Sequence, residues 1–182
     1  MSKNLRKLNV LDKYGDVTPL ILSSQIRYNN RVRIKDEDLA QHSYFVAYNI
    51  IKIGYDYSID KNIVQEAVCR AIIHDIDEQY CSDIPHDCKQ AYPELRELVR
   101  NIGIDYIKSE APEAYDYFMD YSNKKDLANI LVDLGDAISV LQYTNREILL
   151  GNKTEDMIVI SNEIKARVTR LFDDLDKNLK EK

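Results

Sequence analysis

Apolar residues recur along most of this chain at spacings of three and four, and no stretch of useful length alternates between apolar and polar residues. That periodicity predicts helices rather than strands. Thr18 as a cap and Pro19 in the first turn start a helix that runs through Ile21 and Leu22 to Arg27 and Tyr28, where Asn29 and Asn30 end it. Leu39, Val46, Ile50 and Ile53 line one side of a second, acid-capped helix reaching about Gly54. Asp60 caps a third, with Ile63, Val64, Ala67, Val68, Ala71 and Ile72 on its apolar stripe and His74-Asp75 at its end. The acid-rich stretch after it is irregular or in short helical pieces. Pro93 and Pro112 each open a further helix. A long, strongly apolar helix runs from Lys124 to about Gly151, whose glycine suits a helix end. Thr154 then caps a final helix rich in charge pairs, expected on the outside or at a subunit interface. The pattern predicts an all-α bundle of about six or seven helices.

With 182 residues, five glycines and four prolines, the chain leaves little room for linkers. One domain spanning 1–182 is the expectation, with a motif-bearing core over about 18–152 and a C-terminal helix over 153–182. The net charge of −6 argues against a surface built for nucleic-acid polymers. It leaves room for a small phosphorylated ligand, whose potential is set locally by a cation and a few arginines. Cys69, Cys81 and Cys88 form no CxxC pair, and no signal peptide or long apolar span is present. The expectation is a cytoplasmic protein with no membrane partner. Thirteen tyrosines and no tryptophan predict many rings packed on the surface with their hydroxyls wet.

The chemistry lies in the ionisable residues set into apolar helices. His42 stands beside the second helix's stripe, His74-Asp75 ends the third, and Asp133 and Asp136 interrupt the long apolar helix. Buried charge must be paired or bound. A His-Asp dipeptide alone reads better as a helix end carrying a favourable cation than as a metal site. Together with a further His and a helical Asp it offers two nitrogen and two oxygen donors, a mixed set suited to a transition metal. Arg27, judged by itself, is a surface arginine at a helix end.

The order His42, His74-Asp75, Asp136 resembles the metal-binding pattern of the HD superfamily of phosphohydrolases, and more narrowly its bacterial 5'-deoxynucleotidase branch. AQHSYFVAYNII is similar to that branch's first-histidine helix, with Gln41 where a glutamate is usual. HDIDEQYCSDIP follows its HD-x-x-E-x-x-x-x-D-[LI]-P pattern. GDAISVLQYTNREILLGN resembles its last-ligand helix and favours Asp136 over Asp133. The resemblance covers about Ile26 to Asn152.

It implies His42, His74, Asp75 and Asp136 as ligands of one divalent cation, cobalt, manganese or another transition metal. Glu78 and Asp83 take the two catalytic carboxylate positions. Arg27 matches the arginine that grips the substrate phosphate. Tyr28 replaces a common tryptophan beside it, within reach of sugar or base, and Lys89 adds positive potential. His86 falls outside the ligand pattern and is assigned to the surface or the pocket rim. The implied substrate is a deoxynucleoside 5'-monophosphate and the implied assembly a homodimer or other homo-oligomer. The alternatives are a triphosphohydrolase of the same fold acting on dNTPs, and a nucleotide-binding module without turnover.

Overall fold

The computed structural model describes residues 21–81, 84 and 86–180, apart from the side chains of His86 and Asp87. Thr18, Pro19 and Asp83 lie outside the described residues. Within them the extended pairing is limited to an isolated bridge between Ile26 and Asp38, and the rest is helix, turn and loop.

The first predicted helix ends at Leu22 and does not reach Tyr28. Ser24 turns both its amide and its hydroxyl to the carbonyl of Ile21, offering the backbone a local alternative to further helix. Arg27 therefore sits in a turn beyond the Ile26 bridge.

Helix α1, Leu39–Asp56, is capped by Asp38, whose carboxylate accepts the Gln41 amide at 2.7 Å. Helix α2, Lys61–Ile73, is capped in the same way by Asp60. Short helices α3, Glu78–Cys81, and α4, His86–Ala91, occupy the acid-rich stretch. Helix α5 spans Pro93–Glu110, and a 3-10 turn at Pro112–Ala114 leads into α6, Tyr115–Asn123. Helix α7, Leu127–Leu149, begins after an Asp126 cap, and Gly151 follows its end with φ 106°. Helix α8 spans Glu155–Lys180.

The main core gathers Val46 and Ile50 of α1, Ala67 and Ala71 of α2, Leu131 and Leu134 of α7, and Leu175 of α8. Ile72, expected on the buried stripe, is exposed. Arg70 is buried between α2 and α7, where it donates to Glu66, Asp126 and Asn129. A second cluster, built on Ile76, Ile107 and Phe118, supports the segment after α2.

Gly135 brings α1 and α7 into backbone contact. A Cβ there would stand 2.9 Å from the Val46 carbonyl oxygen and 3.0 Å from Ile50 Cγ1. The antiparallel register that sets Val46 against Gly135 also sets His42 against Ser139. The same close approach thus delivers a histidine and, beside the glycine, Asp136 to one place.

The charged connection before α1 is fastened to the end of α7. Glu147, fully buried, accepts the amides of Ile34 and Lys35 at 2.7 and 2.8 Å. Asn152 donates to the Val32 carbonyl and to Glu147, and the Tyr143 hydroxyl donates to the Lys35 carbonyl.

We expect Gly135→Ala to lower stability by about 1–3 kcal/mol, the usual cost of overpacking a tight contact. Chemical denaturation of the purified chain measures it, and an unchanged midpoint would show that α1 and α7 can separate freely.

Candidate metal centre

His42 reaches inward from α1, His74 follows directly on α2, Asp75 comes next, and Asp136 projects from α7. His42, His74 and Asp136 offer donor atoms within 4.8 Å of one another. Asp75 Oδ2 lies 3.1 Å from His74 Nε2 and 3.7 Å from His42 Nε2, and Asp136 Oδ1 lies 3.3 Å from His42 Nε2. Metal–ligand bonds of about 2.0–2.2 Å give ligand–ligand edges of roughly 3–3.5 Å, close to these separations. Both Nε2 atoms are buried without a hydrogen-bond partner among the described residues. Two orphaned imidazole nitrogens facing two carboxylates fit a divalent cation.

The tautomers differ between the two histidines. His74 Nδ1 donates to the Ala71 carbonyl at 2.7 Å, which leaves its Nε2 lone pair pointing into the cluster. His42 Nδ1 meets Ser139 Oγ at 3.1 Å and the Arg27 guanidinium at 2.6 Å. Arg27 can donate there only when the His42 proton sits on Nε2. A cation on Nε2 requires the other tautomer, with Nδ1–H directed to Ser139 and Arg27 released.

The charges are strongly coupled. Burial would raise the Asp75 carboxyl, but His74, then His42 and Arg27, hold it well below the usual carboxylate range. Burial is likewise outweighed at Asp136, by His42 and then Arg167. Burial and Arg27 push the His42 imidazole down to about 4. At His74 burial opposes the cation, yet Asp75 and then Asp136 push the imidazole up to about 9.

The cluster opens onto a cavity of about 1090 Å³ whose lining includes Arg27, Tyr28, Glu78, Lys89 and Arg167. Arg27 Nη1 also donates to the buried Glu37 carboxylate at 3.0 Å. Tyr28 has φ 54°, a left-handed conformation that costs an aromatic residue roughly 1–3 kcal/mol. Its ring stacks on Tyr143 with centroids 4.6 Å apart and planes 3° from parallel. Glu78 opens α3, and its carboxylate accepts from Lys89 Nζ at 3.2 Å.

Three features of the site were not read from the sequence. Arg167 of α8 donates to Asp136 Oδ2 at 3.2 Å, so the last helix walls the cavity as well as packing on α7. Its signal was a charge flanking the stripe Met157, Ser161, Ile164, Val168, Leu171, Leu175. Tyr121 packs edge-on against His74, with ring centroids 5.9 Å apart. The third is the Glu37 carboxylate beneath Arg27. Asp133 stands apart from the cluster, where its carboxylate accepts from the Tyr121 hydroxyl at 3.3 Å.

A family model for the 5'-deoxynucleotidase YfbR-like proteins matches residues 22–176. The chain belongs to that family, and so to the metal-dependent phosphohydrolases. No curated protein sequence matches it. A Listeria innocua HD-domain phosphohydrolase, lin2634, has the same fold, with TM-score 0.72 and 21% identity over 94% of this chain and 86% of its own. The cyanophage S-2L HD phosphohydrolase DatZ, bound to dA and one catalytic Zn2+ ion, matches with TM-score 0.71 and 17% identity over 91% and 96%. A conserved hypothetical protein from Pyrococcus furiosus gives TM-score 0.65 and 21% identity over 85% and 96%. None of the described helices is long and apolar enough to cross a membrane.

We expect His42→Ala, His74→Ala, Asp75→Ala and Asp136→Ala each to lose bound cation while staying helical, and His86→Ala to keep it. Elemental analysis alongside circular dichroism checks this, and full occupancy in Asp136→Ala would remove that residue from the ligand set.

Proposed function

We propose that this YfbR-like chain hydrolyses deoxynucleoside 5'-monophosphates to deoxynucleoside and phosphate. The observation that carries the reading is the pair of unpartnered imidazole nitrogens facing Asp75 and Asp136 at the floor of a cavity that also holds Arg27 and Glu78. His42, His74, Asp75 and Asp136 would hold the divalent cation, which supplies a Lewis acid beside the phosphoryl group.

The remaining work falls to the chain's own side chains. Arg27, once His42 turns its Nδ1–H to Ser139, is free to present a planar fork to two phosphate oxygens. Its anchor on Glu37 keeps the guanidinium beside the cluster while it changes partner. Arg167 fixes the outer oxygen of Asp136 and so aims the inner one. Water adds to phosphorus, the bond to the 5'-oxygen breaks, and a proton passes from the water to that oxygen. Glu78, and Asp83 from outside the described residues, are the carboxylates for those two proton positions. Lys89 holds Glu78 in place. Tyr28, its ring backed by Tyr143, offers a fixed surface to the sugar.

A second reading has its own support. Arg31 and Arg170 also line the cavity, which at about 1090 Å³ has room for more than one phosphate. In that case the chain would release triphosphate from a dNTP. Product analysis separates the two: phosphate from dNMPs supports the first reading, triphosphate from a dNTP the second, and neither product removes both.

Glu78→Gln is expected to keep its cation and its nucleotide affinity and to lose turnover by about 100-fold or more. Single-turnover assays with saturating cation test this, and a near-normal rate would take the proton-transfer role from Glu78.

For Arg27→Ala we expect a higher KM and a lower kcat, together worth about 2–5 kcal/mol. Arg27→Lys should recover part of the loss, because an ammonium cannot bridge two oxygens. Steady-state kinetics on dAMP, dGMP and dTMP should show the same defect for each, and a defect confined to one base would place Arg27 away from the phosphate.

A further inference from the structure

Arg27 and Tyr28 stand on a backbone turn that needs outside support. Tyr28, with φ 54°, is a strained residue of the kind that persists only where its surroundings over-determine it. Its carbonyl accepts the Arg31 amide at 3.0 Å and Arg33 Nη1 at 3.2 Å. Those bonds close the turn, but they do not aim the Arg27 guanidinium.

The aim comes from a run of stacked planes. Arg27 Cζ stands over the Tyr28 ring, 5.3 Å from its centroid. Tyr28 lies flat on Tyr143, and Arg146 Cζ stands over the Tyr143 ring at 5.2 Å. A guanidinium is drawn to the face of an aromatic ring, so each tyrosine has a cation as well as a ring for a neighbour. Tyr143 is buried, and its hydroxyl bond to the Lys35 carbonyl fixes it against the connection before α1. Tyr143 and Arg146 follow Asp136 on α7 by about two and three turns. The run is therefore registered on the helix that supplies a candidate ligand.

Arg146 occupies a costly setting. Its Nε and Nη2 atoms are buried with no hydrogen-bond partner among the described residues. Buried donors are nearly always satisfied, and these two share one edge of the guanidinium. An apolar side chain of the same length would pack there without leaving donors unmet. What the guanidinium adds is charge beside the Tyr143 ring and near Glu37. Burial pushes the Glu37 carboxyl up, and Arg27 and then Arg146 oppose the rise. Glu37 accepts from Arg27 Nη1 at 3.0 Å, so Arg146 reaches Arg27 by a second route besides the stack.

We propose that Tyr143 and Arg146 are positioning residues for Arg27, holding the Arg27–Tyr28 turn so that the guanidinium faces the candidate cation centre. The proposal rests on the reading of Arg27 as the partner of the substrate phosphate. The test is isothermal titration calorimetry of the manganese-loaded full chain with inorganic phosphate, which needs no turnover. Tyr143→Leu should weaken phosphate binding by about 10- to 100-fold. Tyr143→Phe, which keeps the ring, should bind as wild type does. So should Tyr57→Leu, which removes a ring stacked on Phe172. Arg146→Met should weaken binding by about 3-fold or more. It should nevertheless keep its thermal midpoint, because two unpartnered donors leave with the charge. Arg146→Met carries the test if Tyr143→Leu does not fold. Added to Arg27→Ala, Tyr143→Leu should cost nothing further, since both act through one contact. Wild-type affinity in Tyr143→Leu and Arg146→Met overturns the proposal and leaves Arg27 in its role. So does full additivity with Arg27→Ala, or an affinity loss in Arg146→Met accompanied by a fallen midpoint or lost manganese. Phosphate binding that Arg27→Ala leaves unchanged overturns the reading of Arg27 itself, and the proposal with it.

Discussion

Two imidazoles and two carboxylates meet where α1, α2 and α7 converge, and their desolvation is the constraint that the surrounding structure answers. Burial disfavours each charged form separately, yet Asp75 and Asp136 stay ionised because positive groups lie within a few ångströms. Against burial, Asp75 and then Asp136 favour the charged form of His74, and two arginines lean inward. Arg27 comes from the loop before α1, and Arg167 from α8. Neither satisfies the two Nε2 atoms, which remain the unmet demand at the centre. A cation of matching charge and donor preference meets it once His42 carries its proton on Nδ1.

This ties Arg27 to the tautomer of His42. It can donate to His42 Nδ1, or His42 can turn that nitrogen into a donor towards Ser139 and offer Nε2 to a cation. Arg27 is thereby linked to the candidate metal centre through one hydrogen bond. The left-handed backbone at Tyr28 has a place in the same arrangement. It turns the chain sharply after Arg27 and lays the Tyr28 ring flat on Tyr143, a contact that helps to hold the strained turn.

The helical class was legible in the sequence because period and caps agree. Asp60 accepts an amide at the start of the helix it was read to cap, Asp38 is the acid that caps the helix before it, and the long helix starts at Leu127 behind an Asp126 cap rather than at Lys124. The convergence of His42, His74, Asp75 and Asp136 was legible for a related reason, since ionisable residues inside apolar stripes have few places to go. What escaped was set by contacts between segments distant in the chain. The end of the first helix at Leu22 follows from a serine side chain competing for a carbonyl, and from a bridge to Asp38 that no local pattern announces. Nothing local in the connection from Arg31 to Asp38 announces its anchor, because Glu147 lies more than a hundred residues away. Arg167 looked like one of many charges on an outer helix until the register of α8 on α7 brought it to Asp136.

Helix α7 explains why these distant pieces act together. Its apolar side, with Leu131, Val132 and Leu134, belongs to the core. Along its other side Asp136, Ser139, Tyr143 and Glu147 follow at three- and four-residue steps. Asp136 faces the imidazoles, Ser139 meets His42 Nδ1, Tyr143 backs Tyr28, and Glu147 ties down the loop that leads to α1. Polar groups in so apolar a helix would be costly if left unmet. Each is matched, by a neighbouring helix, by the loop, or by the candidate cation. The spacing of one helix therefore sets the distances among the candidate cation site, Arg27 and Tyr28, and the close approach at Gly135 fixes that ruler against α1.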